Sequence, residues 1–126
     1  MMTGLHHIAL TVTDVVRSAE WYRELLGLTE VMGGDDDQVS YRVLADADAG
    51  LMIGLRQYAA GSGDAFDEFR TGMDHLAIGV ETAEDLAERE AKLAAMGATF
   101  TPATQTPIGT VIVFRDPDGI QLEFWL

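Results

Sequence analysis

The chain repeats itself, and that constrains the fold more than any other feature. The stretch Gly4-Leu5-His6-His7-Ile8-Ala9-Leu10-Thr11-Val12 returns as Gly72-Met73-Asp74-His75-Leu76-Ala77-Ile78-Gly79-Val80, an offset of 68. Gly, His, Ala and Val recur in place, and most other exchanges are apolar for apolar. Internal self-similarity means that one supersecondary unit is used twice. A helical pattern follows each copy. The first runs over Val15–Leu26, with Asp14 as N-cap and Gly27 at the stop; the second runs over 83–96, with Thr82 and Asp85 as a capping box and Gly97 at the stop. Later, Asp46-Ala47-Asp48 matches Asp116-Pro117-Asp118 at an offset of 70, each a turn signal between two strand-like runs. The runs before the turns are 39–45 and 110–115, and those after are 51–55 and 120–124.

Each half therefore reads as a strand, a helix and about three further strands. The halves span about residues 4–56 and 72–126, and 57–71 reads as a polar linker with one helical turn at 65–69. Half a chain of 126 residues buries too little surface alone, so the halves are expected to act as one domain of α+β class. The expected architecture is two tandem β-α-β-β-β modules forming a curved sheet around one cavity.

Composition removes whole classes of function. The chain has no cysteine, which excludes disulfide scaffolds, thiolate metal sites, iron–sulfur clusters and thiol nucleophiles. A net charge of −13 repels phosphate backbones and anionic lipids, so neither nucleic acid nor a membrane surface is an expected partner. No apolar run approaches the ~18 residues of a membrane span, and the first residues carry no basic targeting segment. The expected location is cytoplasmic.

Alternation along the strands sorts the side chains onto two faces. Ile8, Leu10 and Val12 oppose His7, Ala9 and Thr11; Leu76, Ile78 and Val80 oppose His75, Ala77 and Gly79. Leu51, Ile53 and Leu55 oppose Met52, Gly54 and Arg56; Leu122, Phe124 and Leu126 oppose Gln121, Glu123 and Trp125. The apolar faces should pack on helices. The other faces carry His7, His75 and Glu123 among small neighbours that leave room for a ligand. Two imidazoles and a carboxylate suit a borderline divalent ion and leave coordination positions open, which Lewis-acid chemistry requires.

With LHHIALTVTD at the start, WYRELLGL in the first helix, MDHLAIGV opening the second half and FRDPDGIQLEF at the end, the chain resembles the vicinal oxygen chelate superfamily. That group includes glyoxalase I, extradiol dioxygenases, fosfomycin-resistance enzymes and bleomycin-resistance proteins. The resemblance covers Leu5 to Leu126 and implies paired modules around a metal cavity, with His7, His75 and Glu123 at the ligand positions. It also implies a homodimer, a small-molecule substrate chelated through vicinal oxygens, and one divalent ion per site: Fe2+, Mn2+, Ni2+ or Zn2+. One departure is plain. Four-ligand members carry a Glu at the first-half position that corresponds to Glu123, and here it is Gly54. The expected activity is dioxygenase- or glyoxalase-like (oxygenase, lyase or isomerase), with a metal-free sequestering protein of the bleomycin-resistance type as the alternative.

Arg42, Met52, Gly54, Arg56 and Trp125 are the expected substrate contacts. The two arginines would recognise a carboxylate or phosphate, and Met52 and Trp125 would line an apolar pocket. Gly61-Ser62-Gly63 fails the dinucleotide fingerprint because Phe66 stands where its last glycine belongs. No general base is assigned by alternation; a metal-bound hydroxide, Tyr41 or the substrate itself could serve.

Overall fold

A computed structural model describes residues 1–126, and the chain divides into two compact units, Met1–Asp64 and Ala65–Leu126. The first unit contains β1 (Ile8–Thr11), α1 (Val15–Leu26), β2 (Thr29–Asp35), β3 (Val39–Asp46) and β4 (Leu51–Tyr58). Its sheet has the order β1-β4-β3-β2, with β1 parallel to β4 and the other pairs antiparallel. The second unit contains β5 (Leu76–Gly79), α2 (Ala83–Ala95), β6 (Thr104–Thr106), β7 (Gly109–Arg115) and β8 (Gln121–Trp125). Its order is β5-β8-β7-β6, with the same parallel and antiparallel pattern. The repeat in sequence is thus a repeat of topology, in the α+β class that the repeat implies.

Local chemistry sets the helix ends. The Asp14 carboxylate accepts a hydrogen bond from the Arg17 amide at 3.0 Å, satisfying a donor that the first turn of α1 leaves unpaired. Gly27 ends the helix in the left-handed region at φ 70°, where a side chain would cost energy. In α2 the Thr82 hydroxyl accepts from the Asp85 amide, and the Asp85 carboxylate accepts from the Thr82 amide, a reciprocal cap. The helix closes at Ala95 with Met96 as C-cap, one residue short of the expected end.

Each helix buries one stripe on its own sheet. Val15, Ala19, Tyr22, Leu25 and Leu26 of α1 meet a core that includes Leu10, Leu44, Ile53 and Leu55. Leu86 and Leu93 of α2 join Ile112, Phe114, Leu122 and Phe124. The Phe114 and Phe124 rings stack with centroids 4.5 Å apart. Full burial of each such side chain contributes roughly 1.5–3 kcal/mol of gross stabilisation. The opposite faces stay open: His7, Ala9 and Thr11 are exposed beside buried Leu10 and Val12.

One local expectation changes. The segment 65–69 forms no helix; the Phe66 amide donates to the Asp118 carbonyl and the Asp67 carboxylate accepts from the Phe69 amide, which makes a turn. Asp35 closes strand β2.

Candidate functional site

In the second unit, β5 and β8 are parallel neighbours, with Ala77 opposite Glu123 and Gly79 opposite Trp125. His75 stands just before β5, and Glu123 is the middle residue of β8. This register brings His75 Nε2 to 3.5 Å from Glu123 Oε2. Both groups have a further partner within the unit. His75 Nδ1 lies 2.6 Å from Asp74 Oδ1, and an ionised carboxylate only accepts, so Nδ1 carries the proton. In neutral His75 the lone pair is then on Nε2, the nitrogen that faces Glu123. Trp125 Nε1 donates to Glu123 Oε2 at 2.5 Å.

The support behind His75 extends further. Gln121 Nε2 donates to Asp74 Oδ1 at 3.3 Å, and Gln121 Oε1 accepts from Arg115 at 2.8 Å. Arg115 also makes two hydrogen bonds to Glu68, at 2.8 and 3.2 Å. The hydrogen bond to Asp74, reinforced by the negative charges of Glu123 and Asp74, raises the His75 pKa above the ordinary histidine value despite some desolvation.

The first unit places His7 just before β1 on the equivalent face. Its Nδ1 lies 2.8 Å from Nδ1 of His6, with the two rings edge-on. Only the arrangement in which His7 donates and His6 accepts leaves the His7 Nε2 lone pair free. His6 lines the same cavity as His7. In neither unit does a group of three or more His, Asp or Glu side chains gather into a metal-holding set. The expected ligands thus comprise a pair in the second unit, His75 with Glu123, and His7 in the first.

The face of the first sheet bears a cavity of about 250 Å³. His6, His7, Ala9, Met32, Tyr41, Arg42, Val43, Met52, Gly54, Leu55 and Arg56 contribute to its walls. The register explains the opening. Gly54 lies between Ala9 on β1 and Val43 on β3, so this row has no large side chain. The same row in the second unit is Ala77, Glu123 and Val113. Glycine and glutamate occupy equivalent addresses on equivalent sheets.

The two arginines separate. Arg42 is opposite Leu55 and shares its strand face with buried Leu44. Its guanidinium makes two hydrogen bonds to Asp35, at 3.0 and 3.3 Å, and donates to the Tyr41 carbonyl at 2.7 Å. This partner holds the Asp35 carboxyl below the usual carboxylate range. Arg56 is opposite Tyr41, and its guanidinium carbon sits 5.6 Å from the Tyr41 ring centroid. Sequence reasoning missed Asp74 as a partner of His75. Adjacency to a candidate ligand was the available signal, and only the fold turns that carboxylate toward the ring.

The fold and these faces define a class: tandem β-α-β-β-β proteins with polar and titratable side chains displayed on the open side of each sheet. The model of the Glyoxalase/Bleomycin resistance protein/Dioxygenase superfamily matches residues 4–124, and the chain belongs to that superfamily. A glyoxylase/bleomycin resistance protein/dioxygenase domain from Frankia sp. EAN1pec is 41% identical, with a TM-score of 0.94 over 100% of this chain and 98% of that one. The fosfomycin resistance protein FosX from Listeria monocytogenes was solved with Mn(II) and a dihydroxypropylphosphonic acid. It is 22% identical, with a TM-score of 0.76 over 99% of this chain and 90% of that one. FosX from Mesorhizobium loti is 18% identical, with a TM-score of 0.74 over 99% and 92%. The two FosX likenesses speak for the fold. No curated protein matches the chain significantly.

Proposed function

We propose that this protein is a divalent-metal-dependent enzyme acting on a small, oxygen-rich organic molecule that chelates the ion through vicinal oxygens, with dioxygenase- or glyoxalase-like chemistry. The carrying observation is the His75–Glu123 pair: an imidazole nitrogen and a carboxylate oxygen 3.5 Å apart, with His75 Nδ1 held by Asp74 and the same Glu123 oxygen accepting from Trp125. Such backing is what metal-binding side chains require to hold their orientation. His75, Glu123 and His7 are the proposed ligands. Their donor set suits Fe2+, Mn2+, Ni2+ or Zn2+. When bound, the ion supplies Lewis-acid polarisation of the substrate oxygens.

The chain's own residues do the rest. Asp74 keeps the Nδ1 proton on His75, and Trp125 fixes the Glu123 carboxylate. Gly54 makes room for substrate that a second carboxylate would occupy, and Met52 gives the cavity an apolar wall. The working form is a homodimer. Support for an enzyme of this type comes from the superfamily and from the Mn(II) in the Listeria FosX structure, a protein of the same fold.

The alternative, metal-free sequestration, draws on the cavity of the first unit, which exists without any metal-holding set. That cavity is a poor fit for a cationic drug, because the charged side chains on it are arginines and no carboxylate lines it. Titration of the apoprotein with Mn(II), followed by water-proton relaxation, tests the enzyme reading. Saturable binding that Glu123→Gln or His75→Ala abolishes is the expected result. Equal binding by all three proteins would overturn it.

A further inference from the structure

We infer that the cavity of the first unit selects an organic anion: away from its chelating oxygens, the substrate carries a small apolar body whose carboxylate or similar oxyanion pairs with Arg56. The inference rests on the reading that this cavity receives the substrate, and it narrows that substrate's class.

Four observations carry it. First, the cavity has the wrong lining for a cation or a sugar-like polyol: Met32, Val43, Met52, Ala9 and Gly54 dominate it, and it contains no Asp or Glu. Second, of its two arginines, Arg42 is committed to Asp35, with further hydrogen bonds to the Tyr41 and Gly34 carbonyls. Third, Arg56 has no carboxylate partner, although the chain carries 21 acidic residues and a net charge of −13. An arginine left unpaired in so acidic a protein is available to an incoming anion. Fourth, the Tyr41 ring lies 5.6 Å from the Arg56 guanidinium carbon, so the contact orients the side chain on the cavity side of β4. A guanidinium resting on a ring still presents its N–H edge, the fork that fits a carboxylate through two hydrogen bonds.

Size limits the body of the ligand. About 250 Å³ admits a single ring or a short branched chain; an apolar cavity of roughly 150 Å³ suffices for benzene. Apolar burial supplies attraction, and Arg56 supplies the preference for charge. The gain from an exposed arginine is modest because water screens it.

The test uses 3-phenylpropionate and its neutral amide, 3-phenylpropanamide, as probes of one shape and two charges. Binding to the full chain is followed by amide chemical shifts of Ala9, Val43 and Gly54, in the presence of a chelator. The carboxylate is expected to bind about three- to tenfold more tightly than the amide, the range for a charge-assisted hydrogen bond partly screened by water. Arg56→Gln should erase the difference, and Arg42→Gln should keep it. Equal binding of the two probes, a preference that survives in Arg56→Gln, or no shift at these three amides would overturn the inference. Because the chelator removes metal, a failed Mn(II) titration would refute the metal reading and leave this result standing.

Discussion

The two units differ at one address in a way that separates their chemistry. In the first, β1, β4 and β3 place Ala9, Gly54 and Val43 in a row; in the second, β5, β8 and β7 place Ala77, Glu123 and Val113 there. Sheet order, strand direction and helix placement are shared. Where the row holds glycine, the sheet has a cavity beside an unpaired arginine. Where it holds glutamate, a carboxylate faces an imidazole. One side chain thus separates an open face in the first unit from a carboxylate-bearing face in the second.

The comparison breaks most visibly in the cores if the units are not equivalent scaffolds. Ile53 and Leu122 are repeat partners at an offset of 69, and both are fully buried. Ile53→Ala and Leu122→Ala should each cost about 2–5 kcal/mol in denaturant unfolding, through lost burial and a residual cavity. A large cost in one and a negligible cost in the other would show that the two sheets do not carry comparable cores.

A smaller effect sharpens the difference at the second unit. Asp74→Asn removes the charged acceptor behind His75, and metal affinity should fall about 10- to 100-fold by titration calorimetry. Unchanged affinity would show that the Asp74 contact does not position the ligand.

His75 also sets a pH dependence. Its folded pKa is raised, chiefly by the Asp74 hydrogen bond, so protonation stabilises the fold. That stabilisation is fully present below the unfolded pKa and is lost as pH rises through the folded one. Metal affinity runs the other way, falling as pH drops through the raised value, because the proton and the ion compete for Nε2. A histidine NMR titration of the apoprotein should place His75 above the ordinary value, and Asp74→Asn should lower it.

The smallest effect belongs to the glycine itself. Gly54 has no positive φ, and a Cβ there would meet the Ala9 Cβ at 3.5 Å, an ordinary contact. Gly54→Ala should therefore stabilise the fold slightly, by about 0.4–1 kcal/mol, through the unfolded chain, while trimming the cavity. A marked loss of Tm would mean that the glycine serves the backbone rather than the open space.

The parts of this fold legible in the sequence are those with local signals. The caps at Asp14, Thr82 and Gly27, and the Asp-Pro-Asp-Gly turn, state their roles in a few residues. In that turn the Asp116 carboxylate accepts from the Asp118 and Ile120 amides. Strands β2 and β6 were not individually legible because they are sheet edges: most of β2 is exposed, with no apolar alternation to read. The helical turn expected at 65–69 gave way to a tertiary contact, the Phe66 amide on the Asp118 carbonyl. At the site, alternation placed His75 and Glu123 on one face, and the register brought them together. It could not tell Arg42 from Arg56, because the pairing of Arg42 with Asp35 depends on how β2 and β3 are aligned.

Binding of a divalent ion by His7, His75 and Glu123 is the proposal at stake. It is tested most directly by elemental analysis of protein purified without a chelator or a histidine tag, beside His7→Ala and Glu123→Gly. About one iron, manganese, nickel or zinc per chain is expected in the parent protein, lost in both variants. A parent protein that stays metal-free after soaking in each of these ions, or variants that retain the full complement, would contradict it.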